Sequence, residues 1–307
     1  VGLGLVVLGL WWSEPPALYA VTPHAEDWAV QVGLQQQVSE VPGLTFTATL
    51  IGTALTLLDK SGGFISNDRM PPGVWLDNMP NWELGVLWHV RDSLQVLREH
   101  ASRANAQAEE DPNLVVAEPQ WNFTHRRWLF PGAENEYGRG LAHLERYLKG
   151  VVDGSAEFHV RQQDLEIVLN QAENRLTTLV QALVLSARRD DRDRQRVQLM
   201  VAPTDVQPAT PRLSNDDVFY QSRGYGWALV HTLQAIALDY EGVLPSAAWQ
   251  ELDGAILELA SLQRPVWAPV LNSDGFGLFT NHVLVAAGHL GRAHQHLAAL
   301  NLMVAAD

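Results

Sequence analysis

The chain has no cysteine, and that absence removes disulfides, thiolate metal ligands and thiol nucleophiles together. It leaves the redox compartment open, since a protein without thiols is at home on either side of a membrane. Lysine is nearly missing too: all but two of the 21 basic residues are arginines, the exceptions being Lys60 and Lys149. Positive charge is scarce overall, and a formal charge of −14 excludes nucleic acid as a partner, because phosphate recognition needs a basic face. No segment alternates apolar and polar residues as a half-buried strand does. No HExxH, P-loop, strand-linked GxGxxG or GxSxG occurs, so neither a metal nor a cofactor is expected.

What is present is helical periodicity. With 307 residues and 47% hydrophobic content the chain can bury a large core. Apolar residues recur at spacings of three and four in Leu44–Asp59, from Asn81 to about Asn105, from Gly132 to Asp153, and from Leu165 towards Arg188. The pattern returns from Asn215 to Glu241, from Ser246 to Leu262, and from Asn281 onward. Seven helices are expected, hence an all-α multi-helix bundle with long ordered loops. Asp27–Val41 is ambiguous. Ala106–Pro131 holds Pro112, Pro119 and Pro131 and is expected to be irregular, with Trp121, Phe123, Trp128 and Phe130 pinning it to the core. RRDDRDRQR is expected to be a solvated helix end. The domain reading is 1–12, 13–43 as a membrane-proximal segment, 44–201 as a first helical part, 202–214 as a Pro-rich linker, and 215–307 as a second helical part packing on the first.

The first twelve residues, VGLGLVVLGLWW, are apolar throughout. A bilayer needs about 20, so they are expected to be the C-terminal half of a transmembrane helix, with Trp11 and Trp12 as its interface belt. No Lys or Arg precedes Lys60, whereas Glu14, Glu26, Asp27, Glu40 and Asp59 do. The positive-inside rule then places this side away from the cytoplasm. The expectation is a single-pass inner-membrane protein with its soluble domain in the periplasm and the lipid bilayer as one partner.

The unusual stretch is Leu57–Asp92, LLDKSGGFISNDRMPPGVWLDNMPNWELGVLWHVRD. Gly62 and Gly63 stop a helix, and Lys60 suits that helix's negative end. Pro71, Pro72, Gly73 and Pro80 then stiffen a long polar connection, with Asn81 expected to cap the next helix. Connections this long are usually functional or disordered, and Phe64, Ile65, Trp75, Leu76, Met79 and Trp82 argue for order; the alternative to a binding site is a loop that covers the core, its Asp and Asn residues capping backbone. Candidate binding residues are Asn67, Asp68, Trp75, Asp77 and Asn78 in the connection and Glu83 and Arg91 in the helix after it. Further along, Asp217, Tyr220 and Arg223 sit at helical spacing with Asp216. Such groups could bind a sugar, peptide or carboxylate, and paired carboxylates are the minimum for glycoside hydrolysis. They could equally be buried pairs locking a helix to the loop. His282, His289 and His296 share a helix face, but seven residues span about 10.5 Å, too far for one ion.

Four blocks also carry a resemblance: LLDKSGGFISNDRMPPGVWLDNMPNWELGVL, ASRANAQAEEDPNLVVAEPQWNF, DDVFYQSRGYGWALVH and GFGLFTNHVLVAAG. They resemble an uncharacterised proteobacterial family catalogued as domain of unknown function 2333, along nearly the whole chain. The resemblance implies one N-terminal transmembrane helix and brings no catalytic residues. The functional expectation is a non-enzymatic interaction or scaffold subunit of the cell envelope with a protein partner. The alternative is an envelope hydrolase or small-ligand-binding domain with a polar pocket.

Overall fold

The structure, a computed structural model, describes residues 2–34, 38–105, 107–187, 214–265 and 282–306. Among the described residues there are ten α-helices and no strand: α1 (Gly2–Trp12), α2 (Val21–Gln31), α3 (Leu44–Asp59), α4 (Asn78–Val96), α5 (Pro112–Trp121), α6 (Ala133–Asp153), α7 (Gln162–Ala187), α8 (Ser214–Asp239), α9 (Ala248–Ser261) and α10 (His282–Ala306). The all-α expectation holds, but seven helices were too few. Helix α1 stands where the half-helix of residues 1–12 was expected apart from those seven, and the additions are α2 and α5. Helix α5 overturns the irregular reading of its segment: Asp111 Oδ1 accepts from Asn113 N at 2.8 Å and Leu114 N at 3.3 Å. Pro112 occupies the first turn, where its missing N–H is no loss, and Pro119 falls in the last turn. The stretches RRDDRDRQR, 202–213 and 266–281 lie outside the described residues. Helix α8 opens at Ser214, so Asn215 lies within it.

The centre of the molecule is the pair α4 and α8, with α3, α7 and α9 packed against α8. Helix α4 is buried on every side, with Trp82, Val86, Leu87, Val90 and Leu94 all excluded from water. The two backbones touch. A Cβ on Gly85 would overlap the Gln221 carbonyl, and one on Gly224 would overlap the Trp82 carbonyl. Beside this crossing the Trp82 and Trp227 rings meet edge to face at 5.4 Å. Burying one such ring removes about 200 Å² from water, worth about 5 kcal/mol. Outside this core α10 lies on α7 and α9, and α5 on α6.

No described helix is long and apolar enough to cross a membrane. Helix α1 has 11 residues, about 16 Å at 1.5 Å per residue, half of a hydrocarbon core about 30 Å thick. Its Leu3, Val6, Val7, Leu10 and Trp11 are exposed. It meets the body where Gly9 lies on Pro72 and Leu76 and where the Trp12 ring covers Gly62.

Candidate functional site

The connection from Lys60 to Asp77, here called the strap, is held from inside by a buried carboxylate. Gly62 and Gly63 take φ of 88° and 69°, a left-handed turn open to glycine, and this brings the Lys60 ammonium onto Gly63 O and Glu83. Glu83, fully buried, also accepts from Ile65 N at 2.8 Å, Ser66 N at 2.7 Å and Ser66 Oγ at 2.5 Å. A buried charge survives only when paired and hydrogen-bonded, and these donors meet that requirement. Next along the strap, Asn67 Nδ2 donates to Arg127 O and Glu134 Oε2, both at 3.2 Å. Asp68 lies against Gly73, where no Cβ would fit. Burial first, then Glu83 and Glu134, raises the Asp68 carboxyl above its ordinary range.

A second cluster lies at the start of α4. Asn81 is not the expected cap: the helix already begins at Asn78, because Pro80 is tolerated in a first turn. Asn81 Nδ2 instead donates to Asp217 Oδ1 at 2.6 Å and Asp77 O at 3.1 Å, and its Oδ1 accepts from Gln221 Nε2 at 3.0 Å. Burial, then Asp77 and Asp216, pushes the Asp217 carboxyl up to about 7. Burial also raises Asp77 and Asp216. Among the described residues no group of three or more His, Asp or Glu is placed to hold a metal ion.

The two candidate guanidiniums are helix ends in disguise. Arg91 donates to Trp121 O and Phe123 O at 2.8 Å each, closing the C-terminus of α5. Arg223 donates to Gln263 O at 3.0 Å and Arg264 O at 3.1 Å, just past the C-terminus of α9. Arg161 does the same for the π-helical turn Leu97–Ala101, reaching Ala104 O at 2.7 Å, Arg103 O at 2.9 Å and His100 O at 3.1 Å. Terminal carbonyls carry partial negative charge and lack intrahelical partners. A planar cation with several N–H groups serves them better than a lysine does. A cleft of about 490 Å³ opens at that turn, lined by Glu99, His100, Arg103, Glu110, Arg161 and Asp164.

The structure therefore divides the sequence-derived candidates. Asn67, Asp68 and Glu83 share the strap's inner wall; Asp77, Asn78 and Asp217 share the start of α4 and α8. Arg91 and Arg223 are committed elsewhere, Arg223 beneath the Tyr220 ring at 5.9 Å. Trp75 stands outside with Met70 and Val74, all exposed. Two histidines of α10 bond to α9, His289 to Glu258 and His296 to Glu251, each at 2.7 Å. The aromatic segment after α5 is only half in the core: Trp121 is buried, but Trp128 and Phe130 are exposed. Two arginines immediately before Trp128 were the available signal, since cations seldom lead into a core.

Fold and site define an all-helical protein braced by an internally clasped strap, with Asn67, Glu83, Arg91, Asp217 and Arg223 tied into structural bonds. The chain belongs to the family described as uncharacterized protein conserved in bacteria, DUF2333, which matches residues 2–305. No curated protein and no solved structure matches it.

Proposed function

We propose that this protein is a membrane-held interaction subunit of the bacterial envelope rather than an enzyme. The observation that carries the reading is the seat of α1: a helix apolar on every side stands on the strap while most of its large side chains face outward. Each such side chain left in water forgoes about 1.5–3 kcal/mol, and exposed apolar surface of this extent marks a membrane or partner contact. In this reading α1 enters the bilayer, and the strap fixes the body beneath it. The lack of basic residues before Lys60 supports a non-cytoplasmic, periplasmic placement. The outer end of the strap, Trp75 and Asp77, with Asn78 at the start of α4, then faces a protein partner.

Flotation of the full chain with native membranes tests the attachment. It is expected to float and to resist an alkaline wash, and Leu3→Asp with Val7→Asp and Leu10→Asp is expected to leave it unbound. Wild-type protein that fails to float would end this reading. Crosslinking pull-downs test the partner edge: Asp77→Ala with Asn78→Ala is expected to lose the captured envelope protein, and undiminished capture counts against that edge.

A further inference from the structure

We propose that the loop Arg126–Pro131 is a second membrane contact that binds an anionic phospholipid surface, a proposal resting on the reading that α1 enters the bilayer. All six residues of RRWLFP are exposed, with Phe130 at 90% and Trp128 and Leu129 above half. The same segment knows how to bury an aromatic: Trp121 stacks on Tyr137 at 4.9 Å. What remains outside is an apolar tip led by two guanidiniums. Aromatic rings settle at the headgroup level of a bilayer, and neighbouring arginines meet anionic headgroups there.

The tip rises from a fixed base. Arg127 O accepts from Asn67 Nδ2 at 3.2 Å and Ala133 N at 2.9 Å, and the Arg127 guanidinium lies 5.6 Å over the Phe123 ring. Asn67 belongs to the strap that also seats α1 through Pro72 and Leu76, so the loop and the apolar helix are held by one element. The strap's own tip repeats the pairing of cation and apolar side chain with Arg69 and Met70, both exposed. The support shared with α1 and this local positive charge single out a bilayer over a protein groove. Burial raises the Asp217 carboxyl, which interacts with Arg126, to about 7, so near neutral pH it offsets only part of that charge.

The lack of cysteine allows single-site labelling of the full chain. Phe130→Cys, Leu3→Cys in α1 and Leu257→Cys on exposed α9 would each carry an environment-sensitive NBD fluorophore. Each is mixed with vesicles of phosphatidylcholine alone or with added phosphatidylglycerol. The label at 130 is expected to shift to the blue and be quenched by lipid-borne doxyl groups when phosphatidylglycerol is present. Arg126→Ser with Arg127→Ser should raise the lipid concentration required about 25-fold, about fivefold per arginine, while the Leu3→Cys label keeps its response. If position 3 responds and position 130 behaves like 257, the loop proposal falls and the α1 reading stands. If neither responds, both fall. An equal response at 130 to phosphatidylcholine alone overturns the anionic assignment. A response that needs no vesicles and grows with protein concentration overturns the proposal in favour of self-association.

Discussion

Glu83 and Asp217 are carboxylates on the two central helices, Asp217 bonded to Asn81 two residues before Glu83, and they live in opposite conditions. Glu83 is wholly buried yet meets an ammonium, two backbone amides and a hydroxyl. Asp217 is only partly buried but faces Asp77 and Asp216, with the Asn81 amide as its donor. Burial alone therefore does not decide whether an acid is at ease; the supply of donors does. The first region closes the strap, and the second leaves charge in reserve at the strap's far end.

The largest break in this contrast is Glu83→Leu, which strands Lys60 and two amides and should lower stability by about 3–5 kcal/mol, read as a denaturant midpoint. Lys60→Met should cost distinctly less, because Glu83 keeps its other donors. Equal losses would mean the ion pair, not the amides, holds the clasp. Next comes Gly224→Ala, whose methyl must push α8 off the Trp82 carbonyl at about 1–3 kcal/mol, seen by thermal unfolding.

Asp217→Asn acts in the other direction. The folded state holds the Asp217 proton up to about pH 7, whereas the unfolded chain releases it near its ordinary value. The folded state thus binds more protons between about pH 4 and pH 7, and wild-type stability falls as pH rises through that window. Asp217→Asn should remove that slope and gain on the order of 1 kcal/mol at pH 8, since solvent screens a group that is not fully buried. Asp239, held up to about 6 by burial, keeps its own slope of the same sign in both proteins. The smallest effect belongs to Trp75→Ser: within about 0.5 kcal/mol of wild type, because the ring is already in water. A larger loss would show that the rim braces the strap.

Much of the bundle was legible in the sequence because α3, α4, α6, α7, α8, α9 and α10 each carry a repeating apolar stripe. Helix α5 was hidden by its prolines: Pro112 sits in the first turn, where a helix tolerates it, whereas Pro119 lies inside the helix and forgoes one backbone bond there. The candidate site was less legible for a tertiary reason. Spacing correctly placed Asp216, Tyr220 and Arg223 on neighbouring turns, but it could not reveal that Arg223 reaches the end of α9. Lys60 was assigned to the end of α3, and its amide does close that helix on Thr56 O. Its ammonium crosses 23 residues of sequence to Glu83, a pairing no local rule contains.

The lid that the Trp12 indole makes over Gly62 has a mechanical meaning. The turn under that indole is the one that aims Lys60 at Glu83, so displacing Trp12 and loosening the ionic latch act on the same few residues.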